Sequence, residues 1–350
     1  MKKLVFLLLA TFAGLVFAQS LTGAGATFPY PLYAKMFDEY NKLTGIKVNY
    51  QSIGSGGGIR QLSERTVNFA GSDAFLSDEQ MKDIKAKTGA TVLHIPMALG
   101  AVVPTYNLPG VSKTLNFTGP LLADIFLNKV KTWNDPAIQQ LNPDAKLPPL
   151  PITVVHRSDG SGTTFIWVDY LSKVSREWAQ TVGRGTSVQW PTGLGGKGNE
   201  GVAGVVRQTP GAIGYVELIY AKQNKMPHGA VQNKAGRFVL ASLAATSEAA
   251  SVVLPGDARV SITDTASPSG YPVAGFTWIL IYDKLELVTK SEAEAREVVK
   301  LINWMLTDGQ KIHETLDYGA LPDVADARAK SLLSRVTYQG KPIGKEIVGN

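Results

Sequence analysis

Cysteine is absent from this 350-residue chain. That excludes a disulfide framework, a thiol nucleophile, an iron–sulfur cluster and any cysteine-ligated zinc. Charge is sparse at 18% of residues, too little for a polyelectrolyte tail. Histidine is scarce as well: His94, His156, His228 and His313 stand far apart, with no HExxH motif and no metal-type cluster. The formal charge of +6 invites a nucleic-acid reading, yet nowhere do five Lys or Arg run together, and basic residues alternate with acidic ones. Without a stripe of phosphate-neutralising cations, nucleic acid is not an expected partner. Apolar residues, by contrast, make up 44% of the chain and exclude disorder. The length exceeds what one core usually holds, so two domains are expected.

Long hydrophobic runs are missing except at the start. Met1-Lys2-Lys3 opens an apolar stretch from Leu4 to Phe17, and Val16-Phe17-Ala18 places small residues before a cut at Gln19. This is the charged, apolar and small-residue layout of a secretory signal peptide. At about fourteen residues the run falls short of the ~20 needed to span a bilayer. Residues 1–18 are therefore expected to be a cleaved signal peptide. No cysteine follows to carry a lipid, and the mature product is expected to be exported and soluble.

The remainder alternates short β-type runs with helical ones. Ile46–Tyr50, Ala101–Tyr106, Ile152–His156, Ala212–Glu217 and Phe276–Tyr282 are rich in Val, Ile and aromatics and predict strands. Leu32–Tyr40 and Glu292–Leu306 carry apolar residues at helical spacing. Strands separated by helices predict an α/β fold with mixed, largely parallel sheets. Pro148–Pro151 and Ser267–Pro272 predict turn-rich connectors. An exported α/β chain of two domains suggests a hinged ligand-binding protein, by analogy only.

Three loops have the chemistry of an anion site. Thr22–Pro31 (TGAGATFPYP) leads into the helical run from Leu32, with Thr27 placed as an N-cap and a proline near the first turn. Gly54–Gly58 (GSGGG) runs into Ile59, with Ser55 cap-like. Arg157–Thr164 (RSDGSGTT) leaves a predicted strand and enters the run Phe165–Leu171. Each would present backbone N–H groups, a positive helix end and a hydroxyl. One such loop is most often an ordinary turn. Three, one of them bearing an arginine, are harder to dismiss.

Competing motifs fail. Gly23–Phe28 lacks the last glycine of a dinucleotide fingerprint, and no strand of adequate length is expected ahead of it. Gly195-Gly196-Lys197-Gly198 lacks P-loop spacing, and neither Ser55 nor Ser161 sits in a nucleophile elbow. His156 is expected to be a packed or supporting residue rather than a base, and Trp278 and Trp304 are expected in the core.

At these loops the sequence resembles the phosphate-binding proteins of bacterial high-affinity phosphate ABC transporters. The resemblance rests on Leu21–Pro29 (LTGAGATFP), Lys47–Ser55 (KVNYQSIGS), Val67–Asp73 (VNFAGSD) and Asp159–Phe165 (DGSGTTF). Trp190–Asn199 (WPTGLGGKGN), Pro210–Glu217 (PGAIGYVE) and Leu316–Asp323 (LDYGALPD) add to it, in order along nearly the whole mature chain. It implies a two-domain, hinged periplasmic-binding-protein fold with the ligand in an interdomain cleft. Domain 1 would comprise 19–104 and 272–350, and domain 2 would comprise 105–271. Phosphate contacts would fall on Thr27, the Phe28 N–H, Ser55, Asp73, Arg157, Ser161, Gly162 and Thr163, with Asp159 holding Arg157. His156 and Gly56 depart from the family's usual residues, and 228–257 shows no obvious match.

The implied function is capture of inorganic phosphate in the periplasm and delivery to inner-membrane ABC permease subunits. The receptor would be monomeric, without a catalytic step, metal or cofactor. Asp73 fits because protonated phosphate can donate to a carboxylate, whereas fully ionised sulfate cannot. A secreted phosphomonoesterase or a receptor for another oxyanion, such as sulfate or molybdate, is the alternative. The enzyme would need a metal cluster or an activated nucleophile, and the sequence offers neither.

Overall fold

The computed structural model describes residues 20–349, so the expected signal peptide lies outside the described residues. Its first strands and helices alternate: β1 (Ser20–Gly25), α1 (Tyr30–Thr44), β2 (Lys47–Ser52), α2 (Ser55–Ser63), β3 (Phe69–Ser72) and α3 (Asp78–Thr88). In α1 the 3.6-residue period puts Leu32, Tyr33, Met36, Phe37 and Tyr40 on one buried face. The helix stops at Gly45, which takes the left-handed conformation and returns its N–H to Asn41 O at 2.8 Å.

Strand β4 (Val92–Tyr106) is buried along its whole length. It precedes β5 (Asn116–Phe117), α4 (Gly119–Phe126), α5 (Pro136–Gln139), β6 (Thr153–Arg157), α6 (Gly162–Val174) and α7 (Arg176–Thr181). Then come β7 (Leu194–Gly196), α8 (Gly198–Gln208), β8 (Ala212–Glu217), α9 (Leu218–Gln223), β9 (Ala230–Gln232), β10 (Phe238–Val239) and β11 (Ala274–Tyr282). A long helix, Glu292–Leu306, forms where its sequence period placed it, burying Val298, Leu301, Ile302 and Met305.

Eight strands form one curled sheet in the order β2-β1-β3-β11-β4-β8-β6-β7, and β10-β9-β5 make a small second sheet. The two flanks of the large sheet are parallel, as expected of βαβ connections. Its centre is antiparallel, because β11 returns from the C-terminal part of the chain between β3 and β4. Strand β4 joins the flanks. Its residues Val92–Ala101 pair with β11, and Val102–Tyr106 pair with β8. The stretch 228–257 builds β9, β10 and the short helix Leu243–Ala249.

A second link between the flanks lies away from β4. Arg259 donates to Leu76 O and to Asp78, both at 2.7 Å, on the β3 side. Two and four residues on, Ser261 and Thr263 donate at 2.6 Å to the buried Asp169 of α6. Trp278 is buried and Trp304 is packed against the core.

Candidate functional site

Two walls meet where the parallel flanks end. One consists of the β1–α1 loop (Thr27, Phe28), the first residue of α2 (Ser55) and the residue after β3 (Asp73). The other consists of the end of β6 (Arg157), the loop with Asp159, and the start of α6 (Ser161, Gly162, Thr163). Thr27, Phe28, Ser55, Asp73, Arg157, Ser161 and Thr163 are all buried. The walls touch: Gly56 N–H donates to Gly160 O at 2.9 Å. A Cβ on Gly162 would lie 2.4 Å from Ser55 Oγ and 2.5 Å from Asp73 Oδ2, so only glycine lets the walls approach this closely.

On the second wall an aromatic stack supports Arg157. His156 stacks on Trp190 at 4.8 Å, Trp190 on Tyr215 at 5.8 Å and Trp167 on Tyr215 at 5.3 Å. The Tyr215 hydroxyl accepts the Arg157 backbone N–H at 3.1 Å. His156 is thus a packed residue, as its sequence context suggested. The Arg157 guanidinium is fixed by Asp159 through Nε at 2.8 Å and Nη2 at 2.5 Å, and Nη1 reaches Thr163 Oγ1 at 3.4 Å. Burial raises the Asp159 pKa, but the Arg157 hydrogen bonds and charge, with the Gly198 N–H, outweigh it and hold the carboxyl below its usual range. Of the five guanidinium N–H groups two remain, one on each Nη, in the fork that matches an oxyanion edge.

The hydroxyls are oriented by subtraction. Thr27 Oγ1 accepts from Asn199 N at 3.1 Å and Asn199 Nδ2 at 2.8 Å. Thr163 Oγ1 accepts from Asn199 Nδ2 at 3.0 Å and from Arg157. Ser161 Oγ accepts from Thr164 N at 2.9 Å as the N-cap of α6. With acceptor positions occupied, the protons of these hydroxyls have no acceptor among the described residues, and the same holds for the N–H groups of Phe28, Gly162 and Thr163. The carbonyls of the first loop are turned away and tied off by tyrosines: Tyr50 to Ala26 O at 3.0 Å, Tyr220 to Thr27 O and Tyr318 to Phe28 O at 2.5 Å. What is left facing inward is a set of donors.

Asp73 is the exception. Its N–H donates to Ser55 Oγ at 3.2 Å, and its Oδ2 accepts from that hydroxyl at 3.5 Å. Its Oδ1 is buried without a partner, as are the neighbouring Tyr33 Oη and Thr277 Oγ1. Burial pushes the carboxyl up to about 7, offset only in part by the Thr277 hydroxyl, the Arg157 charge and the Ser55 hydroxyl. At neutral pH it is therefore poised to take or give one proton.

Three local expectations need correction. Thr27 is not an N-cap: Pro29 holds that position, and the Thr27 hydroxyl instead faces Asn199 on the other wall. Ser55 is the first helical residue, after Gly54, so the glycines assigned to a loop lie in the first turn of α2. Gly58 is there because a Cβ would meet Gly25 Cα at 2.5 Å and Ala24 O at 2.6 Å, where α2 crosses β1. Gly23–Phe28, expected to have no strand of adequate length ahead of it, begins inside strand β1, whose Gly23 and Gly25 are squeezed between neighbours. Composition hides such a strand, since a Cβ at Gly23 would meet the Phe69 ring at 2.5 Å and one at Gly25 would meet Gly71 O at 2.0 Å. Asn199 was quoted in a matching segment but given no role. Its position after a glycine at a helix start was the available signal, yet its partners are 172 and 36 residues away.

Beside the site a cavity of about 550 Å³ opens between the walls, lined by Gly56, Arg60, Phe75, Phe165 and Arg184 among others. It adjoins residues next to Ser55 and Asp73 and carries two arginines and no carboxylate.

A family model described as a PBP superfamily domain matches residues 17–308. The phosphate-binding protein PstS of Pasteurella multocida is 46% identical over 331 residues, covering 91% of this chain and 91% of its own. That of Xylella fastidiosa is 47% identical over 306 residues, covering 86% and 81%. The solved structure of a high affinity periplasmic phosphate-binding protein (PfluDING) bound with phosphate aligns with a TM-score of 0.74 at 19% identity, over 94% of this chain and 98% of its own. A phosphate binding protein from Stenotrophomonas maltophilia gives 0.69 at 19% identity, over 89% and 94%. These likenesses show the expected fold, the two-domain α/β architecture of the periplasmic binding proteins.

Proposed function

The chain belongs to the PBP superfamily, among its phosphate-binding proteins, and from that premise we propose that it captures inorganic phosphate between Thr27, Phe28, Ser55 and Asp73 on one wall and Arg157, Ser161, Gly162 and Thr163 on the other. The carrying observation is the donor arithmetic. A buried cage of hydroxyl and amide donors with one guanidinium fork and a single orphaned carboxylate oxygen suits an anion that accepts many hydrogen bonds and donates one. Protonated phosphate is such an anion. Sulfate would bring two acceptors together with no proton between them.

The walls belong to different domains in this reading, 19–104 with 272–350 against 105–271. The change of partner of β4 at Ala101/Val102 and the start of β11 at Ala274 support that division. Full coordination needs both walls, so binding favours the arrangement in which they touch. The loaded receptor is periplasmic and delivers its ion to an ABC permease. No helix of the described residues is long and apolar enough to cross a membrane, in keeping with a separate receptor.

Equilibrium dialysis of mature protein with labelled phosphate, with sulfate and molybdate competing, tests the reading. At pH 8, saturable binding that excess sulfate leaves intact is expected. Equal competition by sulfate overturns it. A chromogenic phosphomonoester with divalent metals added should give no turnover.

A further inference from the structure

We propose that Asn199 is a positioning residue that sets the polarity of the anion cage, by filling acceptor positions on Thr27 and Thr163 at once and so forcing both hydroxyls to donate to the ligand. The inference rests on the phosphate reading above and deepens it.

The orientation of the Asn199 amide is unambiguous. The Glu217 backbone N–H, which can only donate, lies 2.9 Å from Asn199 Oδ1. The oxygen therefore points at β8 and the NH₂ group at the cage, where one N–H goes to Thr27 Oγ1 and the other to Thr163 Oγ1. The Asn199 backbone N–H, unpaired within the first turn of α8, adds a second bond to Thr27. That fills the acceptor capacity of Thr27 Oγ1. The Arg157 Nη1 contact does the same for Thr163. Asn199 is completely buried, and both side-chain polar atoms and its backbone N–H serve this arrangement. It is also the side chain that bonds to both walls, so the polarity is set only when they meet.

An isosteric carboxylate should reverse the polarity. In Asn199→Asp the oxygen replacing the NH₂ would accept the protons of Thr27 and Thr163, turning both hydroxyls away from the anion. Asn199→Ala merely leaves them unconstrained. Titration calorimetry with inorganic phosphate is expected to show a loss on the order of a hundredfold for Asn199→Asp and about tenfold for Asn199→Ala. In a Thr27→Val background the gap between the two variants should narrow several-fold, because one hydroxyl is no longer there to be turned. Equal losses in the two variants, or a gap unchanged by Thr27→Val, would mean bulk packing or plain charge repulsion and would overturn the proposal while leaving phosphate capture intact. A parent protein that binds no phosphate would remove the underlying reading instead. Thermal melts identify a variant that does not fold. Should Asn199→Asp be one, the Asn199→Ala and Thr27→Val double-mutant cycle decides: non-additive losses support the proposal and additive losses overturn it.

Discussion

On the Arg157 wall the side chains are anchored by protein partners before any ligand arrives, with only donors left over: the guanidinium is held by Asp159, Ser161 by its own helix, and Asp159 by the Gly198 N–H. On the Asp73 wall three buried polar atoms, Asp73 Oδ1, Tyr33 Oη and Thr277 Oγ1, have no partner. The complete wall is pre-organised and can supply affinity without rearrangement. The incomplete wall carries an unmet demand that one particular ligand proton satisfies. Affinity and discrimination thus reside on opposite sides of the cleft.

The largest effect should come from breaking the complete wall. Arg157→Ala is expected to weaken phosphate binding by roughly 2–5 kcal/mol, as for loss of a charged partner in a desolvated site. It also strands Asp159. Ser161→Ala should cost only ~1 kcal/mol in binding, plus a similar loss of stability because Ser161 caps α6. Calorimetry on both variants checks this; equal binding losses would mean that the hydroxyl and amide dipoles of this wall, rather than its guanidinium, dominate the affinity.

Next in size is a change to the incomplete wall alone. Burial raises the Asp73 carboxyl from 3.8 to about 7. A carboxyl raised in the folded state costs stability once it must ionise. The cost is absent below about pH 4, grows through pH 7 and is constant above it. Asp73→Asn should therefore stabilise the ligand-free protein by up to about 4 kcal/mol at pH 8 and by nothing at pH 4. The same variant should gain sulfate binding, since an amide donor replaces the acceptor. Denaturant melts at the two pH values and competition dialysis are the measurements; a pH-independent gain would place Asp73 in an ordinary turn role.

A steric test follows. Gly162→Ala puts a methyl group against Ser55 and Asp73 and should hold the walls apart. Phosphate affinity is expected to drop by about 1–3 kcal/mol, with the fold of each wall unchanged by circular dichroism.

The unmodified protein offers a gentler probe. As pH falls through about 7, Asp73 gains a proton and becomes a donor, so sulfate should compete increasingly well between pH 8 and pH 5 while remaining weak at pH 8. The smallest change expected is in Thr277→Val. Removing a hydroxyl that lowers the Asp73 pKa should move the onset of sulfate competition to higher pH, with stability altered by about 1 kcal/mol at most, the scale of one hydroxyl contact. A shift to lower pH would contradict the assigned electrostatics.

Much of this was legible in the sequence where physics acts locally. The helices Tyr30–Thr44 and Glu292–Leu306 follow from their apolar period, and β6, β8 and β11 from short β-branched and aromatic runs. The Ser161 cap follows from Ser-Gly-Thr-Thr at a helix start. What escaped reading depends on distant contacts. Strand β1 is made of small residues because of what packs on it, and the Thr27 hydroxyl answers to Asn199 rather than to its own helix. The length of β4 also exceeded the visible run Ala101–Tyr106, because Pro96 and Gly100 interrupt the pattern in a strand that is buried throughout.

The tyrosine clamp on the first loop has an optical consequence. Tyr50, Tyr220 and Tyr318 hold three successive carbonyls, and all three phenols are raised well above their ordinary range, by burial first and with Asp73 adding to it in each case. Of the 12 tyrosines in the chain, these cannot contribute to phenolate absorbance while the fold stands. Their share of the near-ultraviolet change in alkali is withheld until the chain opens, together with that of other buried phenols such as Tyr33, Tyr215 and Tyr271, so the late rise in absorbance reports the opening of the fold without any attached label.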